Sequence, residues 1–202
     1  MKHVLALSIA ATLVAAASAQ AQPAPPSAPQ FIRGTVTAVT PASLNLTSRD
    51  GKKLTVGLTK DWTVSVTKPV TVAEILPGSF IGTAEMPQAN GSGRSLEVHV
   101  FPPGVKLGEG HYGWDLKRGS MMTNGTVGKV VASKSGSAFD VSYSTGVRHI
   151  VVPPKTPIVQ IVPSSRDLIK PGVKVFMAAF PAAGGLITNS VAVGENGKAP
   201  PM

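Results

Sequence analysis

The segment Gly-Thr-Val-Thr-Ala-Val at 34–39 returns as Gly-Thr-Val-Gly-Lys-Val-Val at 125–131, and the residues after each copy return with it. SLNLTSRDGKKLTVGL answers to AFDVSYSTGVRHIVV, KDWTVSV to KTPIVQIV, and VTVAEILPGSFIGTAEM to SSRDLIKPGVKVFMAAF. The offset drifts only from 91 residues at the two GTV starts to 94 at the two Pro-Gly pairs, so only loop-sized insertions separate the copies. A duplicated chain must fold into two units of like architecture, and each unit must be built from the same short elements.

Those elements are strands. Apolar and polar residues alternate with period 2 in 34–39, 43–47, 53–58, 63–66 and 95–101, the pattern of half-buried antiparallel strands. Arg49-Asp50-Gly51 carries hairpin chemistry between two of them. Each copy also has one expected helical turn. Thr71 with Glu74, and Ser164 with Asp167, have cap spacing, and Leu76-Pro77-Gly78 and Lys170-Pro171-Gly172 end the turns. Short strands with a capping turn predict an all-β fold of two duplicated, small, antiparallel OB-like barrels, since closure removes exposed sheet edges. A β-sandwich built from both halves is the alternative. The expected organisation is a signal peptide at 1–21, a Pro/Ala linker at 22–30, barrel copies at 31–101 and 125–195 around an inter-domain segment at 102–124, and a tail at 196–202.

The leader reading rests on Lys2, an apolar run from Val4, and small residues ending in Ala17-Ser18-Ala19 and Ala19-Gln20-Ala21. It places the mature protein in the periplasm or outside the cell, with no later run apolar enough to span a bilayer. The chain contains 0 cysteines, which excludes disulfides, thiolate metal sites and thiol nucleophiles. The formal net charge is +9, or +8 once Lys2 leaves with the leader, which favours anionic partners. The basic residues are scattered and only ten aromatics are present, so nucleic acid is not an expected partner.

RGTV near the mature start, TVAEILPGSFIGTAEM, the centre LEVHVFPPGVKLGEGHYGWDLKRGSMMTNGTV, VVPPKTPIV and the terminal GKAPPM carry a resemblance. The chain resembles a family of exported proteobacterial proteins made of repeated small β-barrel domains of unknown function. The resemblance spans essentially the whole mature chain and implies export and a barrel fold, with no reaction attached.

The centre GEGHYGWDLKRGSMMTN, at 108–124, is unlike the rest of the chain. Its candidate ligand or interface residues are His99, Glu109, His111, Tyr112, Trp114, Asp115, Met121 and Met122. Imidazoles with carboxylates suit zinc and imidazole with thioether suits copper, which makes His99, His111 and Asp115 the metal candidates. Against a metal stands the spacing: His99 and His111 are separated by a Pro/Gly turn, and Gly110 and Gly113 oppose the helix that would align His111 with Asp115. The competing expectation is a joint. Tyr112, Trp114 and Leu116 pack as a plug between two barrels while Glu109, His111 and Asp115 satisfy backbone groups of an unpaired loop. Trp62 and His149 read as structural for the same reason. No Gly-x-Ser-x-Gly elbow or phosphate-cradling loop is present, so no catalytic residue is expected. The functional expectation is a non-enzymatic binding or structural protein of the cell envelope, its partner an anionic envelope component. A periplasmic copper or zinc protein and, further off, a hydrolase of an envelope polymer are the alternatives.

Overall fold

The computed structural model describes residues 28–133 and 136–202, so the expected leader lies outside the described residues. The described chain is all-β. Its strands are β1 (Gln30–Val39), β2 (Ser43–Ser48), β3 (Lys53–Pro69), β4 (Phe80–Pro87), β5 (Gly93–Val100) and β6 (Gly110–Gly113). They continue with β7 (Met121–Ser133), β8 (Gly136–Tyr143), β9 (Gly146–Val152), β10 (Ile158–Ser164), β11 (Lys174–Ala182) and β12 (Gly185–Gly194). The expected alternation is realised residue by residue: in β2, Leu44 and Leu46 are fully buried while Asn45 and Thr47 are half-exposed.

The barrels are not the consecutive units that the repeats suggest. One ring runs β1, β2, β3, β12, β11 and back to β1, closed by a parallel β3–β12 pairing. The other runs β4, β5, β9, β8, β7 and back to β4, closed by a parallel β5–β9 pairing. Each half of the chain therefore supplies three strands to its own barrel and lends its closing hairpin, β4–β5 or β11–β12, to the other. The two hydrophobic cores follow the same exchange. Val175, Met177, Val191 and Val193 pack with Ile32, Val36, Leu44 and Trp62, whereas Ile81, Val98 and Val100 pack with Phe139, Val141 and Ile150. The expected barrel copies at 31–101 and 125–195 therefore do not coincide with the two rings, each of which takes strands from both halves of the chain.

The expected turns are where the hairpins depart. Both are single 3-10 turns, Val72–Glu74 and Arg166–Leu168. In the first, Glu74 Oε2 accepts the Thr71 N–H at 2.7 Å, the reciprocal arm of a capping box. In the second the cap is Ser165 and not Ser164, because Ser164 is still paired in β10 and the Ser165 hydroxyl accepts from Asp167 N–H. Ile75 and Ile169, at the ends of these turns, are buried in the barrel that the departing hairpin completes. They act as equivalent plugs.

The two barrels are also one sheet. The C-terminal half of β3 pairs antiparallel with β10 from Val64↔Ser164 to Pro69↔Val159, so hydrogen bonding runs from one ring into the next. In the second copy the strand equivalent to the 17-residue β3 is split into β9 and β10 at Pro153-Pro154, residues with no N–H to give a ladder.

Candidate functional site

The central segment is more ordered than an unpaired joint. Gly110 to Gly113 form β6, which pairs with the start of β7 from Gly110↔Asn124 to Gly113↔Met121, so Met121 and Met122 are strand residues and not linker. Because side chains alternate along a strand, His111 and Thr123 project to one side of the sheet, and Tyr112, Met122 and Asn124 to the other. β4 carries this parity across: Thr83 sits opposite Thr123, and Gly82 sits between Asn124 and His99. His99 and His111 therefore lie on opposite faces of one sheet.

The outer face holds His99, whose Nδ1 lies 3.1 Å from Glu97 Oε2. Glu97 Oε1 also accepts the Ala84 N–H at 2.9 Å, and both side chains are buried. Beside them Asn124 Nδ2 donates to the carbonyls of Leu107 and Gly108 and to the Tyr112 hydroxyl at 3.0–3.2 Å. The Tyr112 hydroxyl donates in turn to Gly108 O, and burial pushes its pKa up from the usual phenol value. One buried amide thus fastens the loop to the barrel wall, and Met122 is buried on the same face.

The inner face, at the polar end of the second barrel, holds Glu85 at 0% exposure. Arg148 Nε donates to Glu85 Oε1 at 2.8 Å, while its other nitrogens donate to Gly91 O at 2.7 Å and Ser92 O at 3.1 Å. Desolvation raises the Glu85 pKa and the Arg148 charge partly offsets it. Gly93 leaves the space that the carboxylate fills, since a Cβ there would collide with it. His111 stands over this pair, its Nδ1 2.8 Å from Thr123 Oγ1 and its ring stacked on Tyr143. Burial first, and then the Arg148 charge, hold its pKa below the ordinary imidazole value.

The third location is the junction between barrels. The Trp114 ring lies 4.1 Å from Phe31 and 6.3 Å from Phe176, both on the outer wall of the first barrel. Arg33 lies over the Trp114 and Phe176 rings, donates from Nη1 to Asp115 Oδ2 at 2.8 Å, and donates from Nε to Met202 O at 2.7 Å. Asp115 thus meets a guanidinium, and His111 a hydroxyl, where backbone partners were expected.

The metal candidates His99, His111 and Asp115 consequently occupy three separate places. Among the described residues no group of three His, Cys, Asp or Glu side chains is placed to hold a metal ion. Glu109 is exposed, and Met121 is half-buried next to Glu85 across the β4–β7 ladder. Trp62 is buried in the first core, and His149 pairs with Asp140 at 2.8 Å on the surface of β8 and β9. Sequence reasoning missed Glu85, Glu97, Arg33 and Arg148. The acids sit in strand runs, GTAEM and SLEVHV, where alternation alone does not distinguish an inward charge from an outward one. Comparison of the chain with protein-family models, curated proteins and solved structures returns no match.

Proposed function

We propose that this chain is an exported, non-enzymatic protein of the bacterial cell envelope, a rigid pair of interlocked barrels that binds an anionic envelope polymer. The observation that carries the reading is the use made of the central segment. The Tyr112 hydroxyl, the Trp114 ring, the Asp115 carboxylate and the Asn124 amide nitrogen each join loop to barrel or barrel to barrel. The charge balance supports the partner's chemistry: Glu85 and Asp115 are each neutralised by an arginine, Arg148 and Arg33, and Glu97 is buried beside His99, so the basic excess behind the net charge of +9 is carried by the remaining side chains. Neither the metal reading nor the hydrolase reading gains a supporting observation, since the candidate donors lie apart and Asp115 is held by Arg33.

The test is co-sedimentation of the mature protein with purified peptidoglycan sacculi, and in parallel with phosphatidylglycerol vesicles. Retention on sacculi is expected at about 0.05 M salt and release at about 1 M, where the screening length has fallen to about 3 Å. Absence from the pellet at low salt, or equal retention at both salts, contradicts the proposal, and retention on vesicles alone moves the partner from polymer to membrane.

A further inference from the structure

We propose that two copies of this chain pair by exchanging halves, with the loop 101–109 as the hinge. The proposal stands apart from the binding reading, and its test does not depend on it. Residues 30–100 carry β1 to β5 and residues 110–194 carry β6 to β12, and neither half contains a closed ring. Strands β1, β2 and β3 are completed only by β11 and β12, and strands β7, β8 and β9 only by β4 and β5. The β3–β10 ladder and the Trp114–Phe31 contact also cross between halves. A second copy offers the same strands in the same register. An exchanged dimer therefore repeats every one of these contacts, and only the loop geometry and the loss of free translation separate the two states.

The loop is built to decide between them. Its fold-back is a turn in which the Val105 N–H donates to Pro102 O at 3.0 Å, with Gly104 at φ 79°. The Phe101 N–H donates to Phe80 O, and Asn124 and Tyr112 hold the Leu107 and Gly108 carbonyls, while Leu107 is 61% exposed. Pro102 and Pro103 bias the residues before them toward extended backbone. Opened at Gly104, nine residues reach about 30 Å, enough to carry one half to a neighbouring molecule. Closed, the turn keeps both halves in one chain.

The experiment uses full-length chain carrying Thr35→Cys and Lys174→Cys, positions that face each other across β1 and β11 in a protein without native cysteine. The chain is refolded at a series of protein concentrations, oxidised after folding, and run on a denaturing gel without reductant. Covalent dimer is expected to rise with concentration during refolding, because the disulfide joins one chain's first half to its neighbour's second half. Adding Gly104→Val is expected to raise the dimer-to-monomer ratio roughly tenfold or more, since a β-branched residue resists the left-handed conformation of the closed turn. Intrachain disulfide alone at every concentration overturns the proposal. Should the Gly104→Val chain fail to fold, the concentration series on the unaltered loop decides it alone.

Discussion

Arg148→Ala is expected to cost about 3–5 kcal/mol, the range for leaving a buried partner charge uncompensated. Glu85 is fully inside the second barrel and its one guanidinium partner is Arg148, which also ties down the β4–β5 turn through the carbonyls of Gly91 and Ser92. Removing Arg148 strips away both the charge and the clamp. The loss also acquires a sign with pH. A carboxyl whose folded pKa lies above its unfolded value favours the folded state while it is protonated, and that stabilisation disappears as pH rises through the folded value. Burial already raises Glu85, and removing Arg148 takes away the hydrogen bond and the charge that oppose the rise. Urea unfolding of Arg148→Ala should therefore show the larger deficit at pH 8 and a smaller one at pH 5. Glu85→Leu combined with Arg148→Leu, which removes both charges, should cost much less than the single change. Equal deficits at both pH values would mean that Arg148 acts only through the turn.

Gly34→Ala and Gly125→Ala are each expected to cost roughly 3 kcal/mol, the upper end of what overpacking a tight site does. These are the glycines of the repeated GTV motif, and they are repeated for one reason. A Cβ at Gly34 would press on the Thr47 carbonyl, and a Cβ at Gly125 on the Ser142 carbonyl, each on the strand that pairs with the GTV strand of its own copy. A side chain can swing away from such an intruder, but a laddered backbone carbonyl cannot. Gly113→Ala is the control, because a Cβ there meets nothing within 4 Å and should change stability by no more than about 0.5 kcal/mol. Thermal midpoints are then expected to fall by about 6–12 °C for the first two and by about 2 °C or less for the third. A tolerant Gly34 or Gly125 would mean that the barrel wall gives at that point.

The GTV glycines show how far the sequence could be read. Local signals were sufficient for the elements: alternation around Leu44 and Leu46, the turn at Asp50-Gly51, and the Thr71–Glu74 cap all describe neighbours in the chain, and the all-β barrel architecture followed from them. The strand exchange was not legible, because alternation and turn chemistry say that a hairpin forms and not which of two like sets of strands it completes. Ile75 and Ile169 look the same whichever barrel they plug. The polar clusters failed for a related reason. Glu85 meets Arg148 across 63 residues and Arg33 meets Asp115 across 82, and both contacts exist only once the halves have interlocked. Strand parity separates His99 from His111, and it became visible only when β6 was found paired to β7 and Gly82 was placed between His99 and Asn124.

The exchanged architecture is tested most directly by oxidising the Thr35→Cys, Lys174→Cys chain at high dilution and then cutting it at a protease site inserted in the 102–107 loop. On a denaturing gel without reductant the two fragments should migrate together, and they should separate only when the disulfide is reduced, because β1 and β11 are neighbours in one barrel. Fragments that part without reductant would place Thr35 and Lys174 in different barrels, and the chain would then fold as two consecutive units.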